Sequence, residues 1–237
     1  MLYKIDAKNK SSLSLANDIK NALNFKSNKV IYVYNSVDDH DFWISCSQSV
    51  GKMMPMQEDY TGNKNGMLLT DIKYPWHEES SSFSHSNTRQ PLHTDASYES
   101  DSPDLTFFYC KKKSIFGGAT IFVDLDKLKN YISYYSSSLL NDLMSCPVKH
   151  FKGNDSKYRP IIHSDDTINW NYFRCEDCPI KFAFHDFLEK YIIHGNLFDQ
   201  VILNEGEALF FKDSQLLHGR TSFIGDRWLV KGGICLM

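Results

Sequence analysis

An imidazole and a carboxylate two residues apart stand out in Pro91-Leu92-His93-Thr94-Asp95. On a β-strand, residues i and i+2 point to the same face. A strand over 92–97 would therefore present His93 and Asp95 together to one metal ion. A second imidazole from a distant part of the chain would complete a set of two histidines and one carboxylate on one side of the ion. Such a set leaves adjacent coordination positions open, which suits non-haem ferrous chemistry. The spacing by itself is common, because His77/Glu79 and His163/Asp165 repeat it. Context has to choose among the three pairs. His77/Glu79 lies in the polar, serine-rich stretch 77–90, which reads as a loop and makes a poor rigid site.

The second imidazole is expected in the tail, where Gln215-Leu216-Leu217-His218-Gly219-Arg220 is followed by Gly225-Asp226-Arg227-Trp228-Leu229-Val230-Lys231. If 216–221 and 227–231 form a hairpin, His218 and Arg227 lie close together. A metal-binding imidazole beside a guanidinium suits a co-substrate with two ends. One end chelates the metal and the other, a carboxylate, takes the bidentate arginine fork.

The elements that must position these groups follow from hydrophobic periodicity. Leu15, Ile19, Ala22 and Leu23 predict a helix over 12–24, and Phe42, Cys46 and Val50 predict a second over 39–50, capped by Asp38 or Asp39. Further helices are expected over 124–145 and over 181–194, the latter with Ala183, Phe187 and Tyr191 inward. Short β-branched and aromatic runs predict strands at 30–34, 92–97, 105–110, 119–123, 147–151, 159–163, 167–173, 200–203, 207–211, 216–221 and 227–236, with a further strand near Met67-Leu68-Leu69. Strands at this spacing, separated by turn residues, predict a mostly β sandwich or jelly roll with helices packed outside it. Without repeats or a linker, residues 1–237 read as one domain.

Composition narrows the function. A net charge of −3, from 26 basic against 29 acidic residues, provides no polycationic surface for nucleic acid. Lys111-Lys112-Lys113 reads as a solvated turn. No apolar run reaches membrane-spanning length. The start, Met1-Leu2-Tyr3-Lys4-Ile5-Asp6, lacks the apolar core of an export signal. The six cysteines are therefore expected as reduced thiols of a cytoplasmic protein. Cys175-Glu176-Asp177-Cys178 has no second pair to make a zinc knuckle and reads as incidental.

His93-x-Asp95, Gly117-Gly118-Ala119-Thr120, His218-Gly219-Arg220 and Asp226-Arg227-Trp228-Leu229 occur in this order. From about Val30 onward the chain resembles the taurine dioxygenase/clavaminate synthase branch of the iron(II)- and 2-oxoglutarate-dependent oxygenases. The resemblance implies a double-stranded β-helix, the jelly-roll form. It implies His93, Asp95 and His218 as iron ligands, with Thr120 and Arg227 binding 2-oxoglutarate. It also implies use of O2, release of succinate and CO2, and hydroxylation, desaturation or cyclisation of a small polar or amino-acid-like metabolite. Halogenating relatives lack the carboxylate that Asp95 supplies. Lys231 departs from relatives such as the arginine hydroxylases, which tend to carry a second arginine there. The rival pair His163/Asp165 suits other branches of the superfamily, but little chain follows it and no Gly-Gly-x-Thr turn does.

Loops 60–90 and 150–180 are expected to cover the site and set specificity. Arg159, Tyr172 and Arg174 are candidates to hold a substrate carboxylate, Arg174 by its place in similar amino-acid hydroxylases. Two other readings compete. A non-catalytic jelly-roll binding module predicts an incomplete ligand set, whereas all three ligands and the arginine are present. An oxygenase acting on a macromolecule predicts a basic groove or an extension, and neither is evident.

Overall fold

The computed structural model describes residues 1–55, 68–75, 85–95, 97–98 and 102–236. In chain order the strands are β1 (Leu2–Asp6), β2 (Val30–Tyr34), β3 (Lys52–Met54), β4 (Leu69–Tyr74), β5 (Gln90–His93), β6 (Leu105–Lys112), β7 (Phe116–Gly117) and β8 (Thr120–Asp124). They continue as β9 (Val148–Lys152), β10 (Asp155–Arg159), β11 (Asp199–Val201), β12 (Ala208–Phe211), β13 (Leu216–Arg220), β14 (Phe223–Ile224) and β15 (Arg227–Cys235). The α-helices are α1 (Ser12–Leu23), α2 (His40–Val50), α3 (Leu125–Tyr135), α4 (Ser137–Ser145) and α5 (Pro179–Phe187).

Strand periodicity builds the interior. The large sheet runs β1-β2-β12-β6-β15-β3, with β4 also paired to β15; the small sheet runs β11-β8-β13-β5. Along β12, Leu209 and Phe211 point inward, while Ala208 and Phe210 point outward beneath α1 and α2. On β8, Phe122 is inward, and Ile121 and Val123 face out beneath α3 and α5. The central strands β6, β12 and β8 are buried on both faces, so they read as nearly continuous apolar runs. The two inner faces meet over Val30, Phe108, Cys110, Phe122, Leu209, Phe211, Leu216 and Leu229. This is the double-stranded β-helix that the motif order implied.

The same period of two places the chemistry. His218 lies two residues beyond inward Leu216, and Arg227 and Lys231 lie two residues either side of inward Leu229. All three therefore face the space between the sheets.

Several expectations change. Residues 216–221 and 227–231 do not form a hairpin: β13 pairs β5 and β8, whereas β15 pairs β3, β4 and β6. Between them β14 pairs β7 and carries the chain from one sheet to the other. The strand expected over 92–97 ends at His93, so Asp95 lies just beyond it. The helix expected over 124–145 is broken at Ser136, whose hydroxyl accepts the amide of Leu139 and starts α4. The helix over 181–194 starts earlier, as α5, and widens to a π-helix over Leu188–Ile193; its inner face carries Phe184, Phe187, Leu188 and Ile192, and Ala183 is exposed. The strand expected over 159–163 comes earlier, as β10, and 167–173 keeps only the bridge Ile162–Ile168, because the Ile168 amide binds Ser214 O and the Trp170 amide binds Thr94 Oγ1. β1, parallel to β2, was not foreseen.

Candidate active site

Three side chains converge between the sheets. His93 and His218 are register partners across β5 and β13, with ring centroids 4.2 Å apart. His93 Nε2 lies 3.9 Å from Asp95 Oδ1, and His218 Nε2 lies 3.9 Å from Asp95 Oδ2. One ligand atom from each residue lies within 4.8 Å of the others. Ligand atoms in adjacent positions on one first-row ion, each at about 2.1 Å from it, lie about 3 Å apart, so the three side chains would close inward by about 1–2 Å to share an ion.

Each ligand is held by a different device. His93 Nδ1 lies 2.9 Å from Pro91 O, which fixes its proton there and turns the Nε2 lone pair to the Gln90 side-chain amide at 3.3 Å, a contact that a metal would replace. Asp95 is placed by its surroundings and not by a strand ladder. The preceding Thr94 amide donates to Trp170 O at 2.6 Å, and the Asp95 amide donates to Asp213 Oδ2 at 2.8 Å. Lys231 Nζ sits 2.9 Å from Asp95 Oδ1. Asp95 Oδ2 is buried without a hydrogen-bond partner and faces His218. A cation is the partner such an oxygen lacks, so the donor set fits a metal ion.

The electrostatics support a metal site. Burial, and then the neighbouring His218, push His93 down to about 4, so the imidazole is neutral and ready to coordinate. Burial alone would raise Asp95, but Lys231 and then the two imidazoles hold it well below the usual carboxylate range. Burial and the charge of Asp95 push Asp213 well above that range.

An anion site adjoins. Arg227 is only 5% exposed, and among the described residues no carboxylate or hydrogen-bond acceptor meets its guanidinium. It lines a pocket with Thr120, Ser114, Gly118, Cys110 and Leu229. Gly118 has φ +74°, and a Cβ there would stand 3.2 Å from Arg227 Nε, so glycine keeps the turn against the guanidinium. Burial, then Arg220, push Arg227 down to about 9. A buried guanidinium without a counter-charge beside a threonine hydroxyl fits the distal carboxylate of 2-oxoglutarate. Arg227 and His218 reach this space from opposite sheets.

The remaining candidates are not part of the triad. His163 pairs with Asn169 and Asp165 accepts from Thr167, both away from the triad. His77 and Glu79 lie outside the described residues, as does most of 60–90. Arg174 is half-buried in the turn Tyr172–Arg174, and Arg159 Nη2 donates to Ser97 O. Sequence reasoning did not find Asp213. Its only signal was an acid five residues before His218, set among the polar residues Lys212, Ser214 and Gln215 between two apolar runs.

The model of the taurine catabolism dioxygenase TauD, TfdA family matches residues 5–232. The chain belongs to the TauD, TfdA family. Similar solved structures include an asparagine oxygenase in complex with Fe(II), 3-hydroxyasparagine and succinate, at TM-score 0.72 and 15% identity, covering 93% of this chain and 79% of that one. A taurine dioxygenase from Burkholderia xenovorans gives TM-score 0.68 at 15% identity, with coverage of 100% and 88%. The non-haem iron oxygenase OrfP with Fe and alpha-ketoglutaric acid gives 0.69 at 15% identity, with coverage of 94% and 79%. No curated protein matches in sequence. As a TauD, TfdA member the chain is a 2-oxoglutarate-dependent non-haem iron dioxygenase.

Proposed function

We propose that one domain spanning residues 1–237 hydroxylates, desaturates or cyclises a small polar, amino-acid-like molecule, with release of succinate and CO2. In this reading His93 Nε2, Asp95 Oδ2 and His218 Nε2 hold Fe(II), and Thr120 and Arg227 hold the distal carboxylate of 2-oxoglutarate. The observation that carries it is the pairing of two groups in one interior that find no partner among the described residues: a carboxylate oxygen on Asp95 and the guanidinium of Arg227.

Bound iron, 2-oxoglutarate and O2 supply the oxidising chemistry, and the polypeptide supplies position and a dry enclosure. Lys231 keeps Asp95 ionised and occupies its Oδ1, which leaves Oδ2 as the coordinating atom. Pro91 O fixes the His93 proton on Nδ1. Phe108 and Phe211 pack around the His218 ring and exclude water from it. The presence of Asp95 leaves no vacant position for a halide, which supports hydroxylation, desaturation or cyclisation.

The amino-acid-like substrate class is supported by the asparagine oxygenase and by OrfP, which is solved with (3S)-hydroxy-L-Arg. Arg174 is assigned to the substrate side, beside β9. Among the described residues no helix is long and apolar enough to cross a membrane. All six cysteines are free, which supports a reducing, cytoplasmic setting.

The test is a panel of amino acids and related metabolites, scored for stimulated succinate release with Fe(II) and 2-oxoglutarate. At least one should stimulate release, and His218→Ala should abolish it. Folded protein that forms no succinate with any member of the panel would contradict the reading.

A further inference from the structure

Asp213 is a buried acid, 4% exposed, on the short turn Asp213–Gln215 that leads into β13. Its two oxygens reach two different metal ligands. Oδ2 accepts the backbone amide of Asp95 at 2.8 Å. Oδ1 lies 2.9 Å from His218 Nδ1, although it sits off the line of a straight ring N–H bond. A metal on Nε2 leaves the ring proton on Nδ1, where the carboxylate 2.9 Å away is placed to accept it.

The geometry points to Asp213 as a positioning residue. We infer that its carboxylate fixes the ring orientation and tautomer of His218 and, through the amide of Asp95, closes the triad. The need follows from the fold. β5 ends at His93, so no strand ladder holds Asp95 in place. His218 and Asp95 lie 123 positions apart in the chain, and one side chain spans the gap between them. His93 has a neutral backbone carbonyl behind it, whereas His218 has a carboxylate, so the two imidazoles are not equivalent.

This inference rests on the metal-site reading above, and the test separates the two. Co(II) is titrated anaerobically into wild type, Asp213→Asn, Asp213→Ser and Asp213→Glu, following the visible cobalt spectrum, with thermal melting of each metal-free protein. An amide at 213 presents a donor to one of two N–H groups that both need an acceptor. Co(II) affinity of Asp213→Asn and Asp213→Ser should fall about 10- to 100-fold. Asp213→Glu should recover part of it. The metal-free melting temperature should not fall in Asp213→Asn, because a buried acid is replaced by a neutral group of the same shape. In a His218→Ala background, Asp213→Asn should cost much less than it does alone, whereas a merely structural role would leave the cost unchanged. Co(II) affinities of both neutral variants within about twofold of a wild type that binds tightly would overturn the inference alone. A folded wild type that binds no Co(II) would overturn the metal-site reading and this inference with it.

Discussion

A buried guanidinium with no counter-charge among the described residues, such as Arg227, costs the ligand-free protein stability until an anion arrives. Arg227→Met is therefore expected to act in opposite directions on two measurements. Metal-free stability should rise by about 1–3 kcal/mol in denaturant melts. 2-Oxoglutarate should bind about 30- to 1,000-fold more weakly by calorimetry, the usual range when one partner of a buried charge pair is removed. Co(II) affinity should hardly change. The neighbouring Lys231 sets a different property. Asp95 is ionised because Lys231 and the imidazoles outweigh its burial. In Lys231→Met burial prevails, the carboxyl pKa rises, and the proton competes with metal at higher pH. Co(II) binding by this variant should fail between about pH 5 and 7, where wild type still binds. An unchanged acid limb would show that the pair has no such role. At this scale the residues that the ordered motifs singled out come together in the fold: His93, Asp95 and His218 form one cluster, and Thr120 and Arg227 line one pocket. Asp213 was not legible, because its value depends on which amide the fold places beneath it.

β9 carries His150, fully buried, with neither ring nitrogen hydrogen-bonded. Burial, then Arg159, push it down to about 4, below its ordinary value near 6.5. The folded chain therefore binds fewer protons than the unfolded chain in this window. Stability from this group is complete above about pH 6.5 and is lost as pH falls towards 4, by on the order of 3 kcal/mol. His150→Leu should flatten the fall in melting temperature over that window, and an unchanged slope would assign the acid sensitivity elsewhere. Lys29, before β2, pairs with Asp124, at the end of β8, at 2.8 Å and ties the two sheets at one edge. Lys29→Ala leaves a mostly buried acid unpaired and should cost about 3 kcal/mol in denaturant melts, whereas Lys29→Met combined with Asp124→Asn should recover most of it. Elements with clean periodicity were readable: 30–34 matches β2, and 12–24 and 39–50 match α1 and α2 within a residue. The failures share a cause. A short polar link between two strands looks like a hairpin in one dimension, but residues 221–226 cross between sheets through the β14–β7 pair. Ser136 looks like one more polar position of a helix until its hydroxyl caps the next one.

The two sheets enclose the His93, Asp95 and His218 cluster and the anion site. His93, His218 and Thr120 come from the small sheet, and Arg227 and Lys231 come from the large one. Ligands should therefore stabilise the whole fold by mass action, and metal with 2-oxoglutarate should raise the melting temperature more than metal alone. The central claim is that one ferrous ion and one 2-oxoglutarate share the space between the sheets. The most direct measurement is an anaerobic absorption spectrum of the folded chain with Fe(II) and 2-oxoglutarate. A weak visible charge-transfer band should grow with 2-oxoglutarate, should be lost in His218→Ala, and should need much more 2-oxoglutarate in Arg227→Met. No band in folded wild type, or an equal band in His218→Ala, would contradict the account.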